Sequence, residues 1–188
     1  MHELTKEGLE TKKLKTYREI GEHYNRKKWI KKDEWPNTRK KVLRKARIAG
    51  KGSFVDPHTG EKSRSKKNWE ADHIVTLKEA HESGGNKFSI AEKRQFGHDI
   101  KGLELIKKAT NRAKREHDLS NWLGKQGKVD YANKTETIKN KYGLSMDKQE
   151  ASVFKQLTGR TTTNKIAPKL KNTPYCTRCH IKHSVGNH

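Results

Sequence analysis

The chain reads as an α+β protein, with a small mixed core near its middle and basic, mainly helical extensions on both sides. Three observations lead there. Only 29% of the 188 residues are apolar while 35% are charged, so whatever core exists is small. The strand-like runs and turn formers fall in one central stretch, ordered strand, loops, strand, helix. The flanks are basic: residues 1–50 carry 16 Lys/Arg against 7 Asp/Glu, and residues 151–188 carry seven Lys/Arg and no acid.

The N-terminal extension, 1–49, begins with Leu14, Tyr17, Ile20 and Tyr24 near helical spacing, which predicts a helix over roughly 10–30. Trp35-Pro36-Asn37-Thr38 breaks it, and Val42, Leu43 and Ala46 mark a second basic helix ending near Gly50. The core unit, 50–124, opens on GKGSFVDPHTG, with a short strand at 53–55 before an Asp-Pro turn and a polar loop after it. A strand is expected through Asp72, His73, Ile74 and Val75, then one or two helical turns over 78–83, stopped by Gly84-Gly85. Ser89 and Glu92 form a capping-box pattern ahead of a helix over 91–96. A second strand over 103–106 and a helix over 110–117 complete the unit. Beyond Trp122-Leu123 the chain turns rich in Lys, Asn and Thr. Residues 125–188 therefore read as a basic extension with one small helix near 148–157 and no second large core.

Lys and Arg total 44 against 22 Asp and Glu, a formal net charge of +22, for which a polyanion is the natural partner. No run approaches the roughly 18 apolar residues of a membrane span. MHELTKEGLETKK lacks the apolar stretch of a signal peptide, and two cysteines are too few for a disulfide framework. The expectation is a soluble, intracellular protein with a polyanion and no membrane as partner.

Chemistry is suggested by WEADHIVTLKEAHESGG, where Asp72 and His73 stand side by side. Phosphodiester hydrolysis needs a base that takes a proton from water and a divalent cation that stabilises charge on the phosphate. An imidazole suits the first role at neutral pH, and carboxylate or amide oxygens suit Mg²⁺. Neighbours on a regular strand point to opposite faces, so the pair serves one site only where the strand end is special.

DHIVTLKEAHESGG, AEKRQFGHD and GLELIKKATNRAKREHDLSNWL, in that order and with FVDPHTGE upstream, together resemble the HNH (ββα-metal) nucleases of bacterial and phage type. The resemblance covers roughly residues 50–124. It implies a small ββα-metal core and a metal-dependent endonuclease that hydrolyses DNA phosphodiester bonds, encoded by a phage or mobile element. It implies His73 as general base, and Asp72 and Asn111 as ligands of one Mg²⁺ or Mn²⁺. Lys114, one turn beyond Asn111, would meet a phosphate oxygen, with Arg112 and Arg115 as further nucleic-acid contacts. A monomer would nick and a homodimer could cut both strands. Two positions depart from the family pattern. Gly102 stands where an Asn usually braces the base, leaving His98 or Glu104 as substitutes, and Thr76 stands where proline is usual. Trp122 is expected to pack the helix end, and His81 and His117 to lie on the surface. The alternatives are a catalytically degenerate nucleic-acid-binding protein of the same fold, or an RNase.

Cys176, Cys179, His183 and His188 spell C-x₂-C-x₃-H-x₄-H, four ligands of the kind tetrahedral Zn²⁺ takes, so a zinc knuckle is expected at 176–188. The letters Cys-x-x-Cys-His also match a c-type haem attachment, which requires an exported chain.

Overall fold

The computed structural model describes residues 23–170, which hold seven α helices and two small antiparallel sheets. Its centre is a pair of five-residue strands. Trp69–His73 runs antiparallel to Leu103–Lys107, with Asp72 opposite Glu104 and His73 opposite Leu103. We call these β3 and β4. Ahead of them, β1 (Phe54–Val55), the strand expected at 53–55, forms a hairpin with β2 (Lys62–Ser63), which lies in what reads in sequence as a plain polar loop. Lys62 and Ser63 carry no apolar side chain, so nothing in their letters marks a strand.

Two helices precede the sheets. α1, Arg26–Trp29, is capped by the Asn25 side chain accepting from Lys27 N–H; of the helix expected over 10–30, residues 23–25 and Ile30 are not helical and residues 10–22 lie outside the described residues. α2, Trp35–Ala49, starts rather than breaks at Trp35-Pro36, because proline is tolerated in the first turn where its missing N–H has no helical partner anyway. α3 (Leu77–Glu82), a 3₁₀ turn (Gly85–Lys87) and α4 (Ile90–His98) connect β3 to β4. Thr76 caps α3: its hydroxyl accepts from Glu79 N–H at 3.1 Å. The Ser89–Glu92 capping box of α4 is present in full. β3 stops at His73; Ile74 and Val75 leave the strand to enter two different apolar clusters.

β4 passes directly into α5, Lys108–Lys114, which ends earlier than the expected 117 because Arg115 turns to φ +51°. Buried Asp56 holds this junction, accepting from Lys107 N–H at 2.8 Å and from the Thr110 hydroxyl at 2.7 Å. α6 (Lys128–Lys141), absent from the sequence reading, and α7 (Lys148–Thr158), expected near 148–157, follow.

Three apolar clusters knit these elements. α2 lays Val42 on Phe54, Trp69, Leu103 and Leu105. Trp29 meets Val75, Phe96, Ile138 and Leu144, while Ile74 and Leu119 meet Tyr131, Ala132, Met146 and Phe154. The second and third clusters draw on the chain beyond 125, so its described part packs into the core rather than trailing from it. The last described segment returns as a strap: Ile166 bridges Met146, Leu170 N–H donates to Glu82 O at 3.0 Å, and the Lys169 ammonium enters an acidic pocket. Among the described residues no helix is long and apolar enough to cross a membrane.

Candidate active site

Strand alternation puts Trp69, Ala71 and His73 on one face of β3 and Glu70 and Asp72 on the other. His73 is 5% exposed. Its ring lies between two aromatic side chains, Trp35 at 5.8 Å and 20° and Phe96 at 6.2 Å and 6°. Its Nε2–H donates to the Gly97 carbonyl at 2.9 Å, since a carbonyl can only accept. Nδ1 is therefore the nitrogen able to take a proton. Burial brings the imidazole down to about 4, against the opposing pull of Asp72, so the ring is neutral at pH 7.

The Gly97 carbonyl is where it is because α1 and α4 meet backbone to backbone. A Cβ on Gly97 would stand 2.1 Å from Trp29 O, so only glycine allows this approach. This bond fixes the orientation of the His73 ring. Gly102 itself contributes its carbonyl to Ile74 N–H at 2.9 Å. The two expected substitutes do other work. His98 accepts Lys31 N–H on Nε2 at 3.1 Å and meets the Thr38 hydroxyl through Nδ1 at 2.7 Å, tying α4 to the α1–α2 region. Glu104 faces His58 at 3.3 Å and Lys134 at 2.7 Å. Burial would raise its carboxyl, but the hydrogen bond with His58 and the Lys134 ammonium outweigh burial and bring it to about 2.

Asp72 accepts from the Lys114 ammonium through Oδ2 at 2.6 Å, and Lys114 also donates to the His73 carbonyl. Lys114 is 1% exposed, with its ammonium 5.8 Å from the Tyr131 ring centre. The expectation that it faces outward to a phosphate is corrected: Asp72 and the ring from α6 draw it inside. Asn111 donates through Nδ2 to Glu70 Oε2 at 2.8 Å, which sets its carbonyl oxygen on the opposite side. Arg112 and Arg115 are exposed. His117 is exposed as expected, whereas His81 is 4% exposed, edge-on to Tyr24 and Trp29, and held down to about 4 by burial. Trp122 is expected to pack the end of the helix over 110–117; its ring instead meets His58 at 4.7 Å and Tyr131 of α6 at 5.7 Å.

Asp72 and His73 nevertheless share one space. β3 pairs with β4 only, and along its other edge lies a cavity of about 130 Å³ lined by Ala71, Asp72, His73, Asn111 and Arg115. A strand edge is reached from both faces, which answers the alternation problem. Glu70 escaped the sequence reading although it sits two residues before Asp72 on the same face, the period-2 signal that would have found it. Trp35 and the Gly97 carbonyl act through stacking and backbone, which leave no local signature.

A second cluster, also missed, lies away from this cavity. Glu79, Asp118 and Glu150 bring carboxylate oxygens within 4.8 Å of one another, an arrangement that could hold a metal ion. Two ammonium groups stand there instead. Lys139 is on Glu79 at 2.5 Å and Glu150 at 2.7 Å, and Lys169 is on Glu79 at 2.8 Å, Glu150 at 3.1 Å and Asp118. Burial pushes Glu150 up to about 7 in spite of Lys139. Burial would also raise Asp118, but Lys169 and Ser120 outweigh it and bring it to about 2. Three acids against two lysines leave an excess of negative charge, consistent with one carboxyl holding its proton more tightly. The expected zinc ligands Cys176, Cys179, His183 and His188 lie outside the described residues. No family model, no curated protein and no solved structure matches this chain.

Proposed function

We propose that the chain is a metal-dependent endonuclease of HNH type that hydrolyses DNA phosphodiester bonds. The observation that carries this reading is the setting of His73: Nε2–H committed to a backbone carbonyl, Nδ1 left to accept a proton, and Asp72 and Asn111 on the same cavity. The antiparallel β3–β4 pair running straight into α5 agrees with the ββα arrangement that the sequence resemblance implies.

The residues present fit a hard divalent cation. Lys114 engages Oδ2 of Asp72, leaving Oδ1, and the Asn111 amide offers its carbonyl oxygen; Mg²⁺ readily combines few protein oxygens with water and phosphate. Asp72 and Asn111 would hold such a cation, which would supply positive charge beside the phosphate. His73 Nδ1 takes the proton of the attacking water, while the Gly97 carbonyl fixes the tautomer and the two flanking rings fix the plane. Lys114 holds the Asp72 carboxylate and the strand end in register.

A second reading is favoured by one specific feature. Lys114 already neutralises Asp72, and a base brought down to about 4 is a weak one, both of which suit a protein that binds nucleic acid without cutting it. Supercoiled plasmid incubated with Mg²⁺, with the His73→Ala variant alongside, separates the two. Nicked or linear product from the parent protein alone supports the enzyme. Intact plasmid with retarded mobility in both lanes supports the binding protein. Matched RNA in the same assay tests the RNase alternative, because nothing in the site reads a 2′-hydroxyl.

A further inference from the structure

We propose that the unpaired edge of β3 is the track of a nucleic-acid phosphate backbone, with Arg26, Arg39, Lys66 and Lys108 as its phosphate contacts; this rests on the nuclease reading of the His73 cavity. The cavity beside His73 continues into a larger one. It shares Arg26, Ala71 and Asn111 with a space of about 450 Å³ that is also lined by Arg39, Lys66 and Lys108. That space shares Asn68 and Lys108 with a third, again about 450 Å³, which takes in Arg112. A continuous cleft therefore runs from His73 along β3 to the first turn of α5.

Basic side chains line every part of the cleft, with Asp72 and Glu116 at its His73 end and Glu61 at its far end. Four basic side chains line its middle part against one acid, Glu70, whose carboxylate already accepts from Asn111. Among the described residues Arg26, Lys66, Lys108 and Arg112 form no ion pair, and Arg39 is bonded only to the Trp69 carbonyl, at 3.2 Å. Its floor is low. Ala71 presents only a methyl group, and β3 has no further strand beside it. Like charges brought together along a concave surface repel one another until a polyanion replaces their counterions. One small anion would use one of these cations. A row of them extending from the candidate base suits successive phosphates of one strand.

The track excludes Lys114, which is buried on Asp72, and makes Arg112 its far end rather than its centre. The test is binding, so that its failure and the failure of the nuclease reading are separate events. Fluorescence anisotropy of a labelled DNA duplex is measured in EDTA over a range of salt, using the parent protein, Lys66→Gln/Lys108→Gln, and a control pair on α7, Lys148→Gln/Lys155→Gln. Each lost phosphate contact should lower the slope of log K against log salt by about 0.9, so the cleft pair should lose about 1.8 and bind roughly tenfold or more weakly at 0.1 M salt. The control pair should keep the parent slope within about 0.5. An unchanged slope in the cleft pair, an equal loss in both pairs, or no binding by the parent protein would each overturn the track. Retained cleavage by His73→Ala would instead overturn the assignment of the base and leave the track standing.

Discussion

Replacing Lys139 by methionine should be among the most damaging single changes in the protein. Lys139 is fully buried on α6, and its ammonium contacts Glu79, both oxygens of Glu150, and the Ser145 carbonyl at 2.9 Å. Methionine keeps the aliphatic stem and removes the charge. Two buried carboxylates then share only the Lys169 ammonium, and breaking a buried pair in this way costs about 3–5 kcal/mol. Against a total stability of about 5–15 kcal/mol, that is a large fraction. With a urea slope of about 2 kcal/mol/M, the midpoint should fall by about 2 M, read by tryptophan fluorescence. The loss should depend on pH with a definite sign. Glu150 sits near 7 when folded, above its ordinary 4.5, so the folded state holds a proton more tightly and gains stability as pH falls from 7 towards 4.5. Without Lys139 that preference grows, and the penalty at pH 5 should be smaller than at pH 8. Lys139→Met/Glu150→Gln should recover part of the loss at pH 8, which keeps the measurement informative should the single variant fail to fold. A loss under about 1 kcal/mol, or one equal at both pH values, refutes the reasoning.

Further outcomes follow from other sites. Gly97→Ala must push α4 from α1, since its Cβ meets Trp29 O at 2.1 Å; it should cost about 2 kcal/mol or more in urea unfolding and abolish nicking together with the His73 bond. Glu104, at about 2 when folded, contributes stability that is present above 4.5 and lost as pH falls towards 2. Glu104→Gln should therefore be less stable than the parent by about 3 kcal/mol at pH 7 and nearly equal to it at pH 2, by thermal unfolding. The nicking rate should be flat from pH 6 to 8 and fall only on approach to pH 4, because His73 is already neutral above that range; an acid limb centred near 6.5 would contradict its burial.

Some of this architecture was legible because its signals are local. Ser89 and Glu92 announced α4 through a two-residue reciprocal cap, and Pro36 with Gly50 bracketed α2, although the tetrapeptide that reads as a break is its first turn. α6 stayed hidden because its inward stripe runs through Tyr131, Thr135 and Ile138 and ends on a buried Lys139, so the apolar period is interrupted by polar letters whose partners lie far along the chain. That omission carried into the site. Lys114 was expected to face out beside Asn111, and only the ring of Tyr131, on the unseen helix, makes an interior place for it. Asp72, His73 and Asn111 do line one cavity, yet the brace for His73 is a backbone carbonyl, and a carbonyl has no letter.

The strap that delivers Lys169 carries a consequence for the order of events during synthesis. Glu79 and Asp118 leave the ribosome long before the ammonium that neutralises both of them. Until that segment emerges, the nascent chain holds an acidic pocket short of one cation. Completion of the fold thus waits on residues 165–170, and a chain ending at residue 164 should be more protease-sensitive than the full chain.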